Sequence, residues 1–155
     1  LKGGKNMQDY TDKDGDTVKL LRECDAGIKM GISAIEDVIE DVNNHQFRTV
    51  LTNCKAEHEK LAGEILNLLD DHNDDGKSPN LMAKSMSKIK TNMKIMANPT
   101  DSTIANLMTD GCNMGVKSLN KYLNQYKSAD NKSRDITQRL VKIESDLTRD
   151  IKQYL

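Results

Sequence analysis

Residues 45–69 read HQFRTVLTNCKAEHEKLAGEILNLL, and their apolar positions decide the fold. Phe47, Leu51, Cys54, His58, Leu61, Ile65 and Leu68 return every three or four residues, which lines them along one side of an α-helix. The same spacing recurs upstream in Leu21, Cys24, Ile28, Ile35, Val38 and Val42. Downstream it recurs three times. Met82, Met86, Ile89, Met93 and Met96 form one stripe, and Ile104, Met108, Gly111, Gly115 and Tyr122 a second. The last is Ile136, Leu140, Ile143, Leu147 and Ile151. Helices that each carry one apolar stripe and are joined by short links predict an all-α bundle.

The breaks between stripes set the topology. Asp16 and Thr17 are capping residues ahead of a first helix expected to reach Val42. Asn43-Asn44-His45 is a tight link, so the first two helices are expected to be antiparallel neighbours. The second helix should end near Leu69 and dissolve into the polar run from Asp70 to Gly76. Ser78-Pro79 opens a shorter third helix, Asn98-Pro99 stops it, and Thr100 or Asp101 caps the fourth. Ser128-Ala129-Asp130-Asn131 is a second tight link. The bridge between residues 69 and 100 is long enough to run the length of helices of roughly 37 Å. The expected fold is therefore a ferritin-like four-helix bundle of two antiparallel hairpins, with a crossover segment containing a fifth, shorter helix. The competing arrangement is a plain five-helix up-and-down bundle. Residues 1–15 are expected to be a flexible N-terminal segment and residues 16–155 a single helical bundle domain.

Composition limits the function. A hydrophobic fraction of 36% and a charged fraction of 30% suit a thin bundle with broad wet faces. Tryptophan is absent and phenylalanine occurs once, so the core must come from Leu, Ile, Val and eight methionines. A formal net charge of -1 argues against nucleic-acid binding, which needs surplus cations to neutralise phosphates. Cys24, Cys54 and Cys112 form no C-x-x-C pair, which favours a reducing compartment and a cytoplasmic location. There is no run of about eighteen apolar residues to make a transmembrane segment. The polar, Gly-containing start is not the pattern of a secretory signal.

A ferritin-like bundle raises the question of a di-iron site, which needs Glu-x-x-His on two of its helices. No Glu-x-x-His occurs in the chain. A reduced, mononuclear site is the remaining metal candidate. If the long helices alternate up, down, down and up, then Glu36, His58, Asp110 and Glu144 fall within roughly 9 Å of one another in depth. Three carboxylates and an imidazole suit one divalent ion, Zn, Mn or Fe. The plainer alternative makes His58 a hydrogen-bonded core residue and the acids solvated edge residues. His58→Leu would then be nearly neutral. Cys54 and His58 share a face at i, i+4, but Cys24 lies roughly 15 Å away along the axis and cannot complete a site.

Two acidic stretches resemble calcium loops, and each lacks one element. Asp12-Lys13-Asp14-Gly15-Asp16 with Glu23 has Thr17 where the glycine belongs, and the Asp71, Asn73, Asp75-Gly76 stretch ends on Met82. The third helix carries Lys84, Lys88, Lys90 and Lys94 and no acid, opposite its methionines. Such a helix fits a membrane surface or a partner, or packs its methionines over a groove of the bundle. No phosphate loop, nucleophile elbow or Cys/His nucleophile pairing is present, so no catalytic or cofactor-binding residue is assigned.

Asp16-Thr17-Val18, Ile39-Glu40-Asp41-Val42, Gly76-Lys77-Ser78-Pro79 and the Met108 to Tyr122 segment carry a resemblance. Together they resemble a bacterial family of ferritin-like four-helix bundles of uncharacterised function, with spore-coat type ferritin-like proteins as a related family. The resemblance implies the fold and little about activity. The expected function is a non-enzymatic structural or protein-interaction role, with a protein partner or a homo-oligomer and no small-molecule substrate identified. Divalent-metal binding and membrane-surface or partner binding through the third helix are the alternatives.

Overall fold

The computed structural model describes residues 7–76 and 99–155, with side chains from residue 14 onward. Among them every regular element is helical: α1 Met7–Val38, α2 His45–Asp71, α3 Asp101–Gln125 and α4 Asn131–Ile151. Short 3₁₀ turns at Ile39–Asp41 and Lys152–Tyr154 follow α1 and α4. The Met82 to Met96 stripe lies outside the described residues.

Three helices start as their cap chemistry requires. The side chains of Asn44, Thr100 and Asp130 accept the backbone N–H of Phe47, Thr103 and Ser133, at 3.0, 3.1 and 2.8 Å. Each bond satisfies an N–H that the first helical turn leaves without a partner. The first helix departs from expectation. It begins at Met7, upstream of Asp16 and Thr17, so those residues do not cap it. Their oxygens accept the N–H groups of Ser128 and Asp130 instead, at 3.0 and 2.9 Å. Cap-type side chains serve any stranded N–H, and here the stranded groups belong to the distant α3–α4 link.

These bonds also fix the helix directions. Both carboxylate oxygens of Asp101 accept the N–H groups of the α1–α2 link, Asn43 at 2.8 Å and Asn44 at 2.9 Å. The end of α1 therefore meets the start of α3, while the α3–α4 link meets α1 near Thr17. Helices α1 and α4 run one way, and α2 and α3 the other. Helix α2 thus ends at the opposite end of the bundle from Asp101. It leaves through Asn73 and Gly76, both with positive φ (54° and 88°). This exit is laid on α1, where Asp74 pairs with Arg22 at 3.7 Å. A Cβ at Gly76 would lie 2.5 Å from Asp25 Oδ2, so only glycine fits.

Helix α1 packs chiefly on α2, α3 on α4, and α2 on α4, while α1 and α3 meet less closely. The core falls into two large apolar clusters and a small third one of Leu20, Leu123 and Ala129. One gathers Val38, Val42, Phe47, Leu51, Ile104 and Ile151, with Phe47 stacked on Tyr154 at 4.6 Å between centroids. The other gathers Leu21, Ile28, Leu61, Ile65, Leu69 and Leu140. Burial of each such side chain contributes about 1.5–3 kcal/mol, which is what holds helices this polar together.

Two stripes shift from their predicted register. In α2 the last buried position is Leu69, not Leu68. In α3 the buried line is Ile104, Ala105, Met108, Cys112, Leu119 and Leu123, not the one through Gly111, Gly115 and Tyr122. A step of three and a step of four from Met108 are both helical. The four-residue step wins because Cys112 offers apolar surface to bury and glycine offers none.

Candidate functional site

All four helices change cluster at one level of the bundle, and that level is polar. Along α2 the interior runs Cys54, His58, Leu61; along α4 it runs Leu140, Glu144, Leu147. His58 is 1% exposed, placed there by the same helical spacing that buries its stripe neighbours. Its Nδ1 donates to the Cys54 carbonyl at 2.8 Å, with Cys54 Sγ at 3.5 Å. Its Nε2 lies 3.0 Å from Glu144 Oε1, whose side chain is 12% exposed. With Nδ1–H spent on the carbonyl, a neutral ring would aim the Nε2 lone pair at a carboxylate. The pair therefore holds a proton between them, and the ring donates from both nitrogens. Burial is the largest single influence and favours the neutral ring. The Cys54 side chain and the Glu144 carboxylate, by hydrogen bonding and charge, together outweigh it and raise His58 from 6.5 to about 10.

Cys112 on α3 completes this layer. Its thiol hydrogen-bonds Glu144, and burial followed by that carboxylate pushes its ionisation far above the ordinary thiol range. Cys24, one cluster away, lies 3.2 Å from the Thr137 hydroxyl. Thr137 gives its own proton to the Ser133 carbonyl at 2.8 Å, so the Cys24 thiol is the donor. Burial raises Cys24 to about 12. Thiols held protonated in this way are packing groups and not nucleophiles.

Two glycines face the pair. A Cβ on Gly31 of α1 would sit 2.8 Å from His58 Nε2, so the buried ring excludes a side chain there. A Cβ on Gly115 of α3 would meet Glu144 Oε2 at an ordinary 3.5 Å, and one on Gly111 would meet nothing within 4 Å. Gly111 therefore borders open space, while Gly115 lies against the Glu144 side chain of α4. The result is a cavity of about 290 Å³ along the α1–α3 seam. Its walls are apolar: Met30 and Ala34 from α1, and Met108, Met114 and Leu119 from α3. His58 and Glu144 form part of its floor, and Glu23 and Asp110 also line it. Among the described residues the lining contains no Lys or Arg. Tyr122, also in the lining, is hydrogen-bonded to Glu23; burial and that carboxylate both raise its ionisation.

The structure brings together two of the four residues singled out as metal ligands. His58 and Glu144 touch. Glu36 is exposed on α1 and paired with Lys55 of α2 at 3.1 Å. Asp110 is exposed and lies in the cavity lining rather than at the pair. Among the described residues, no group of three or more His, Cys, Asp or Glu side chains is arranged to hold a metal ion. The backbone of the first calcium-loop stretch is helical throughout and does not take the path of a calcium loop. In the second, Asp74 Oδ1 accepts the Gly76 N–H at 2.9 Å, and Met82 lies outside the described residues, as does the lysine-bearing segment 80–97. No described helix is long and apolar enough to cross a membrane.

Sequence reasoning missed Gly31, Gly115 and Cys112 as members of the layer. The signal for Gly31 was present as a gap: the α1 stripe steps from Ile28 to Ile35, and the missing member is residue 31. No family model, no curated protein and no solved structure matches the chain.

Proposed function

We propose that the chain is a ferritin-like four-helix bundle, with a fifth helix in its crossover, that acts by interaction and catalyses no reaction. What carries this reading is the chemistry of the layer at mid-bundle. Ferritin-like enzymes fill that level with inward carboxylates and histidines that ligate metal. Here the interior offers one imidazole and one carboxylate, each already engaged by the other at 3.0 Å. The neighbouring space is apolar and open. A structural or protein-interaction role suits such a bundle, with the α1–α3 seam as the surface on which it acts. The test is addition of Fe²⁺ under air with oxygen uptake followed. Uptake no faster than the buffer blank is expected, and rapid uptake with near two irons retained per chain would refute the reading.

A second reading keeps a single divalent ion, Zn, Mn or Fe, on His58 and Glu144. The observation favouring it is the Nδ1–H bond to the Cys54 carbonyl, the outer bond that metal-bound histidines typically make. Elemental analysis of protein purified without chelator separates the two. A metal content near one per chain that His58→Leu abolishes would favour the second.

A further inference from the structure

We propose that the α1–α3 cavity is a binding site for a small amphipathic organic cation, a hydrophobic amine. The inference rests on the interaction reading above and names the chemistry of the occupant.

Size comes first. A cavity of about 290 Å³ holds the volume of roughly ten waters. That size matches a compact organic molecule. Its walls present methionines from both helices, and thioethers adapt to varied apolar shapes. Met114, at 48% exposure, stands at the mouth.

Charge selects among such molecules. The titratable side chains of the lining are Glu23, Asp110, Glu144, His58, Cys112 and Tyr122. The imidazolium is taken by Glu144, and Glu23 is engaged by Tyr122. Asp110 makes no hydrogen bond or ion pair among the described residues, so its carboxylate is the one available to an ammonium group. An anion would be repelled by Asp110, with the imidazolium already taken by Glu144, and a neutral molecule would gain at most one hydrogen bond from the Asp110 carboxylate. The amine lays its apolar body between Met30 and Met108 and sets its ammonium against Asp110.

Three probes with one shared body test this: phenylbutylamine, phenylbutanol and phenylbutyrate, followed by methionine-methyl NMR on the full chain. The amine should shift the methyls of Met30, Met108 and Met114, and bind about three- to fivefold tighter than the alcohol, the range of a partly exposed ion pair. Phenylbutyrate should not bind. Asp110→Asn should erase the preference for the amine and leave the alcohol unchanged. Gly111→Leu, whose side chain grows into open space, should fill the cavity and abolish amine binding while circular dichroism shows the helices intact. Gly27→Leu provides the same check from α1, since a Cβ there also meets nothing within 4 Å.

Four results would overturn the proposal. The first is that no probe shifts those methyls. The second is undiminished amine binding in both filled variants, which marks an adventitious surface contact. The third is equal or tighter binding of the alcohol or the acid that Gly111→Leu abolishes. That outcome sinks the amine and leaves the interaction reading standing. The fourth is a wild-type chain that ignores the probes while a variant with Lys84, Lys88, Lys90 and Lys94 changed to Gln binds them. The chain's own segment would then be the occupant.

Discussion

His58→Leu is the substitution whose effect the structure reverses. Judged by its stripe alone, a leucine between Cys54 and Leu61 should be nearly neutral. In the folded chain the ring is the partner of Glu144 at 3.0 Å, and removing it leaves a carboxylate that is 12% exposed with only the weak Cys112 thiol donor among the described residues. A stranded carboxylate escapes by taking a proton. For an ordinary glutamate of pKa about 4.3 at pH 7, that costs about 3.7 kcal/mol. The added leucine surface returns about 1 kcal/mol, so the net loss at pH 7 is about 2–3 kcal/mol. At pH 5 the protonation cost falls to about 1 kcal/mol, and the variant should approach the wild type. The sign is that of a carboxyl kept neutral in the fold: stability is retained at low pH and lost as pH rises. Replacing both residues, His58→Leu with Glu144→Leu, leaves no orphan and should fall within about 1 kcal/mol of wild type. Urea unfolding by far-ultraviolet circular dichroism at both pH values measures all three proteins. A single variant within about 0.5 kcal/mol of wild type at pH 7, with no pH dependence, would refute the buried ion pair.

Other substitutions probe the same frame. His58 is raised from 6.5 to about 10, so its protonation stabilises the fold fully below 6.5 and loses that effect as pH rises through about 10. The wild-type melting temperature should therefore fall across that alkaline range, and Glu144→Gln should flatten the fall. Gly31→Ala drives a methyl to 2.8 Å from the buried ring and should destabilise by about 1–3 kcal/mol. Gly27→Ala, one turn earlier and facing open space, should stabilise by about 0.5–1 kcal/mol in the same melts. Asp101→Ala frees the N–H groups of Asn43 and Asn44 and should cost about 1 kcal/mol by urea titration.

Most of the bundle was legible because helical spacing and cap chemistry are local. Thr100, one of two cap candidates, caps its helix, and Asn44 and Asp130 of the two tight links cap the helices that follow them. The buried lines of α1 and α4 follow the predicted stripes apart from the half-buried Ile143. What was not legible depends on contacts across the fold. Asp16 and Thr17 look like caps of their own helix, and only the folded chain shows them bonded to a link more than a hundred residues away. Depth along antiparallel helices placed His58 and Glu144 at one level correctly. The same reckoning included Glu36 and Asp110, since depth carries no information about which way around the helix a side chain points.

The ionisation of one ring tests the central claim most directly, since the account makes the mid-bundle layer a closed proton-holding pair with no capacity to spare for metal or catalysis. Nitrogen-detected NMR of the histidine rings, recorded at pH 7.5 with and without equimolar Zn²⁺, reads it. The account expects His58 to carry protons on both ring nitrogens and to be unchanged by the metal. A neutral His58 ring at that pH, or a His58 signal displaced by zinc, would contradict it.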